Sequence, residues 1–221
     1  MLGQFRIGPL SLGLGLLLAL GQIGCGGSDG SGKSTATTPT NSAGQLVPRF
    51  ATSFRLQPIS GKVLVKEVAG AAFTRLSSAR LVPTGTLVDT TSGTVRLTAA
   101  TTSPTHLQTG DFHGGVFSIE QAPTGGGLTD LRLRDRASRG TACPGAAADR
   151  LLGLLRGVAV GRFRTVGRFS AATVRGTEFG VRDRCDGTLT VVERGVVTVR
   201  DFALGKDVTV RAGQTYLARA G

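Results

Sequence analysis

Long apolar runs are missing from this sequence. In its 221 residues no apolar stretch reaches the roughly 20 residues that a membrane-spanning helix needs, which excludes a polytopic helical membrane protein. No heptad or Gly-X-Y period is present, so coiled coil and collagen are excluded as well. Trp is absent, and Tyr and Met occur once each. No C-x-x-C pair offers a redox motif, and no G-x-S-x-G elbow presents a serine nucleophile. Only two histidines occur, His106 and His113, near Asp111 in a Gly/Thr-rich stretch, and a metal centre needs three or four converging ligands. The carboxylates Asp183 and Asp186 sit among Arg182 and Arg184, which suits turn chemistry rather than acid–base work. The expectation is a protein with no catalytic residues, no metal and no cofactor.

What is abundant is glycine and positive charge. Gly accounts for 34 residues, about twice the usual share. Lys and Arg number 26 against 14 acids, for a net charge of +12, and only four of the 26 are Lys. Hydrophobic content of 40% argues against wholesale disorder, and a chain of this length can bury a core without a staple.

The N-terminal residues read as an address. Arg6 precedes an apolar stretch from Ile7 to Leu20, which has the length of a signal-peptide core, and the stretch closes on Gln22-Ile23-Gly24-Cys25. Small residues before a Cys, with a Gly/Ser/Thr-rich run after it, resemble a bacterial lipoprotein cleavage site. There Cys25 would become the new N-terminus and carry the lipid. Ordinary secretory cleavage is the other reading of the same residues. Residues 1–24 are thus expected to be a signal peptide, and 25–47 a lipidated Cys with a flexible tether. Within that tether, residues 27–34 match G-x-x-x-x-G-K-[ST]. An export signal before them and Thr35-Ala36-Thr37-Thr38-Pro39 after them deny the strand and helix that a phosphate loop requires.

From Pro48 onward the apolar residues alternate. Examples are Gly61–Lys66, Thr86–Thr90, Thr94–Thr98, Val116–Ile119, Thr188–Val192, Val196–Arg200 and Asp207–Arg211. Gly-bearing turns such as Pro83-Thr84-Gly85, Thr91-Ser92-Gly93 and Asp186-Gly187 separate them. Short β-branched runs at this spacing predict an all-β sandwich or roll. One stretch departs from it: Ala148, Leu151, Leu152 and Leu155 follow i, i+3, i+4, i+7, which predicts a short helix near 145–156.

The order Ala172-Thr173-Val174-Arg175-Gly176-Thr177-Glu178-Phe179, then Gly187 to Val199, then Val208 to Gly213 and Tyr216, resembles the extracytoplasmic β-domain of the FecR family, as found in exported proteins of high-GC actinobacteria. Pro83 to Thr90 with Gly93 to Leu97 is similar to that domain's first half. The resemblance implies one β-domain over 48–221, with an insertion at about 102–160. It also implies a module for binding or structure, or a signalling accessory that presents a sensor domain to a membrane or sigma-factor regulatory partner, docked at a sheet edge.

With Cys25 set aside, Cys143 and Cys185 are expected to pair, as two Cys do in an oxidising compartment. The 42-residue loop would stabilise by at most about 4 kcal/mol. The charge is also uneven, with +8 of the +12 carried by residues 129–221. Arg132, Arg134 and Arg136 alternate with Leu131 and Leu133, and Arg162, Arg164 and Arg168 with Phe163 and Phe169. On strands this points Arg outward, as a stripe for anionic envelope polymers or lipid head groups; export removes nucleic acid as a partner. The location expected is extracytoplasmic, anchored through Cys25, or secreted if that residue is not acylated.

Overall fold

Alternation dictates the strands. Val196–Asp201 buries Val197, Val199 and Asp201 and exposes the residues between them, the period of a strand with one face on a core. The computed structural model describes residues 39–41, 44–103, 105–135, 143 and 148–221. Among them are fifteen strands and no helix, so the protein is all-β.

Two long strands carry the architecture, β1 (Ser53–Lys66) and β4 (Leu87–Ala100), antiparallel along most of their length. The short β2 (Thr74–Arg75) and β3 (Arg80–Pro83) border the outer edge of β1. On its other edge β4 changes partner. Its start pairs with β6 (Val116–Gln121) and its end with β5 (Leu107–His113). From β6 a first half of the sheet continues through β7 (Thr129–Arg134), β9 (Phe163–Val166), β10 (Ser170–Val174), β13 (Val196–Asp201) and β14 (Lys206–Arg211). From β5 a second half continues through β8 (Leu151–Val160), β11 (Thr177–Arg184), β12 (Gly187–Arg194) and β15 (Thr215–Arg219). All neighbours are antiparallel except β7 and β9.

The halves face each other across a single core. Phe112 on β5 meets Phe117 on β6 and Phe163 on β9 edge to face, with centroids 6.2 and 5.5 Å apart. Leu56, Leu97, Ile119, Leu131, Leu155, Phe179 and Val199 fill the space around them. The chain crosses between halves at β5–β6, β7–β8, β8–β9, β10–β11, β12–β13 and β14–β15, and apart from the long β7–β8 connection each of these is a short corner that contains a Gly.

Glycine is indispensable at the hinge of β1 and β4. Gly61 lies opposite Gly93 with φ of 66°, and a Cβ on it would come within 2.2 Å of the Ser92 carbonyl oxygen. β-Bulges flank this pair in β1, and just beyond it β4 passes from β6 to β5. Thr91-Ser92-Gly93 is therefore a bend inside a continuous strand rather than the turn its sequence suggests.

The helix expected near 145–156 does not form where the chain is described. Residues 151–156 belong to β8, and residues 144–147 lie outside the described residues. A register shift pairs Asp183 with Gly153 but Arg184 with Leu151. The extra residue moves the pattern out of phase, so that Leu152 and Leu155, three apart, are both buried. A bulged strand thus imitates a helical period. The insertion expected at 102–160 contributes β5 to β8, all built into the sheet.

Candidate functional site

The arginines of the predicted stripe lie on the outer face of the first half. Register places Ser118, Arg132, Val166, Ala171, Arg200 and Asp207 in one row across β6 to β14. The next row holds Glu120, Asp130, Arg164, Thr173, Thr198 and Thr209. Arg132 and Arg164 point outward, while Leu131, Phe163 and Thr165 point into the core.

These guanidiniums are paired. Arg164 grips Asp130 with both nitrogens, at 2.7 and 2.6 Å. Arg132 donates from Nε to Glu120 at 2.6 Å and approaches Asp130 at 3.6 Å. Arg134 reaches Ser118 at 3.3 Å and Glu120 at 3.8 Å, and Arg200 reaches Asp207 at 3.5 Å. Four arginines thus meet three carboxylates, and most of the charge is neutralised within the face. The remaining members of the stripe are dispersed. Arg162, at the β8–β9 corner, donates to the Gly126 carbonyl at 2.8 Å. Arg168 lies in the β9–β10 turn, 5.5 Å over the Phe169 ring, and Phe169 is half-buried rather than a core residue. Arg136 is outside the described residues, as are Cys25, residues 1–24 expected to be a signal peptide and most of the tether expected over 25–47.

Cys143 and Cys185 are joined, with Cα atoms 5.5 Å apart, and fasten the segment before β8 to the β11–β12 turn. Three carboxylates are buried, Asp89 on β4, Asp183 on β11 and Asp201 on β13. Asp183 accepts from the Thr188 hydroxyl at 2.5 Å and from the Arg168 N–H at 3.0 Å. Burial pushes its carboxyl above the usual range, and those donors only partly offset this. Asp201 lies just under the β13–β14 turn. The Leu204 N–H and the Tyr216 hydroxyl, at 2.9 and 2.8 Å, hold it below the usual range. Asp183 and Asp201 are structural clasps. Buried Gln108 and Gln121 act likewise, both donating to the Gly127 carbonyl and to Thr129 Oγ1. His113 ends β5, and among the described residues no three His, Cys, Asp or Glu gather as a metal would need.

A cleft of about 440 Å³ opens between the Glu67–Phe73 segment and strands β4, β6 and β7. Val68, Phe73, Leu87 and Val116 give it apolar walls, and its charged rim is largely engaged, Glu67 with Arg80 and Glu120 with Arg132.

The outer face of the second half was not singled out from sequence. Its rows run Arg96, Asp111, Val158, Glu178, then Thr94, His113, Arg156, Gly180, Val191, then Leu154, Arg182, Leu189, Leu217. Arg96 and Asp111 pair at 2.7 and 2.8 Å, and Arg194 and Glu178 at 2.7 Å. Arg156 and Arg182 meet no acidic side chain among the described residues. The signal available in the sequence was the run Leu151-Leu152-Gly153-Leu154-Leu155-Arg156-Gly157-Val158, which places apolar residues on both faces of one strand.

Compared with protein-family models, with curated proteins and with solved structures, the chain matches none.

Proposed function

We propose that the protein is an exported, lipid-anchored and non-catalytic binding module of the cell envelope, held off the membrane by residues 25–47. The observation that carries this reading is an order of segments. An apolar stretch at 7–20, a Cys at 25 and a Gly/Ser/Thr run precede a single all-β unit with one core and a disulfide. Cross-linked cysteines suit an oxidising compartment. The FecR-like order of Val174-Arg175-Gly176-Thr177, the β12–β13 pair and Val208 to Gly213 supports a display or sensing role. The non-catalytic part of the proposal is supported by Asp183 and Asp201, whose oxygens are taken up by structural donors.

Intact mass of the mature protein tests it. Acylation at Cys25 and loss of two protons between Cys143 and Cys185 are expected. A mature chain that retains residues 1–24 and two free thiols would overturn it.

A second reading, in which a partner protein adds to a sheet edge, is favoured by one observation. Among the described residues β14 pairs only with β13, and β15 only with β12, which leaves the outer edge of each strand open for main-chain pairing. Salt-insensitive binding lost on substituting Pro along β14 would support it over anionic ligands.

A further inference from the structure

Antiparallel sheets that meet water on one side put polar residues there. The first half obeys, with its ion-paired arginines and threonines. The second half does not. Leu154, Val158, Leu189, Val191 and Leu217 all lie on its outer face, and Val160 follows at the β8 end. Val158 is 45% exposed and Val160 67%. At the centre stand Arg156 and Arg182, diagonal neighbours on β8 and β11, since Arg156 is opposite Gly180 and Arg182 opposite Leu154. Gly180 leaves room for the Arg156 stem, whose Cγ would lie 3.4 Å from a Cβ built there. The nearby acids Asp111 and Glu178 are taken by Arg96 and Arg194. The face therefore combines two guanidiniums, unpaired among the described residues, with a surround of aliphatic side chains.

We propose that this face docks on an anionic phospholipid surface, Arg156 and Arg182 taking head-group phosphates and the aliphatic residues resting against the lipid beside them. Charge complementarity selects an anion, because the carboxylates beside the two guanidiniums, Asp111 and Glu178, are held by Arg96 and Arg194, and Glu193, near the end of β12, forms no ion pair with either. The aliphatic surround selects lipid over a soluble phosphate polymer, for which the exposed Val158 and Val160 and the half-buried leucines beside them would offer nothing. A second copy of this chain is disfavoured by a net charge of +12 on each. The inference deepens the anchoring reading and rests on it for its setting.

The test uses the full chain carrying Cys25→Ser, which cannot be acylated; whether Cys25 is acylated is read separately, from intact mass of the native protein. Binding is measured to vesicles rich in phosphatidylglycerol and to vesicles of phosphatidylcholine alone. The apolar residues 7–20 contribute equally to both, so the ratio reads charge, and the variants assign it to a face. The expected preference is about thirtyfold, from about fivefold per guanidinium. Arg156→Gln/Arg182→Gln, which retains aliphatic stems, should abolish it, and Val158→Ser/Val160→Ser should weaken binding to both vesicles. Reversal at Arg132 and Arg134 is the control for diffuse charge; equal loss there would overturn the proposal. So would equal affinity for the two vesicle types, or binding of soluble polyphosphate alone with the same dependence on Arg156 and Arg182. Retention of the disulfide and of the native melting temperature in each variant excludes misfolding as the cause.

Discussion

The two outer faces of this sandwich use arginine in opposite ways. On the first half, Arg164 and Arg200 are bound to Asp130 and Asp207 within register rows, and Arg132 and Arg134 to Glu120 across them. On the second half, Arg156 and Arg182 stand without an acidic partner among the described residues, beside Leu154, Val158, Leu189 and Leu217. The same residue type is a structural tie in one place and an open valence in the other. What separates them is whether a carboxylate lies opposite or a row or two away and is not already held by another arginine. Glu120, Asp130 and Asp207 are within reach on the first half, whereas Asp111 and Glu178, one row from Arg156, are held by Arg96 and Arg194. Net charge alone does not show which arginines are available, and the difference is one of pairing rather than number.

The comparison depends on two halves held in one frame, and the largest effects should come from breaking that frame. Gly61→Val places a branched side chain against the Ser92 carbonyl at a φ of 66° and drives the hinge of β1 and β4 apart. A loss of about 4 kcal/mol or more is expected, read as a collapsed urea midpoint or absence of soluble protein. Cys143→Ser/Cys185→Ser comes next. Opening the 42-residue loop should cost up to about 4 kcal/mol on chain entropy, measured by thermal melting with and without reductant. Because the bridge ends at the β11–β12 turn, amide exchange should rise there and in β8 before it rises in β13 and β14. Uniform acceleration across both halves would show that they do not open separately.

Much of this frame was legible before any coordinates. β-Branched alternation in Val196–Arg200 or Thr188–Val192 has no other reading, and with Cys25 set aside only Cys143 and Cys185 were left to pair. Thr91-Ser92-Gly93 read as a turn because Gly-rich tripeptides usually are; only the approach of Gly61 from β1 makes it a bend. Leu152 and Leu155 read as helical because a bulge shifts phase by one residue, and sequence cannot distinguish that from a period of 3.6. The outward direction of Arg132 and Arg164 was legible, but their neutralisation was not. Glu120 and Asp130 become neighbours only through pairing across β6, β7 and β9. For the same reason Arg156 and Arg182, 26 positions apart, gave no joint signal.

Each half also has its own buried carboxylate, and pH should separate them. Asp183, on β11, binds its proton more tightly folded than unfolded. Its contribution to stability is present below the unfolded value near 3.8 and is lost as pH rises through the raised folded value. Asp201, at the end of β13, holds its proton less tightly when folded. It contributes stability above the unfolded value and loses it as pH falls through the lowered one. Melting temperatures across the acid range should therefore fall less toward neutrality in Asp183→Asn and fall less toward acid in Asp201→Asn. Asp183→Ala, which strands the Thr188 hydroxyl and the Arg168 N–H, should cost about 2 kcal/mol near neutral pH. Parallel pH profiles for the two Asn variants would contradict the opposite environments of the two carboxylates.

The smallest effects bear most directly on the contrast between the faces. Arg164→Ala removes a two-point clasp from Asp130, whose side chain is only 13% exposed, and should cost about 1 kcal/mol. Arg156→Ala and Arg182→Ala break no ion pair among the described residues and should each change stability by less than about 0.5 kcal/mol. Part of any Arg156 effect would come from its stem over Gly180, which Arg156→Gln retains. A double-mutant cycle should give a coupling near 1 kcal/mol for Arg164 with Asp130 and none for Arg156 with Glu178. The ordering is the sharp part of the prediction. If Arg156 and Arg182 proved as important to folding as Arg164, their exposure would serve the sheet itself, and the second face would lose its claim to an external partner. If they prove dispensable for folding, their place among aliphatic side chains requires a cause outside the fold.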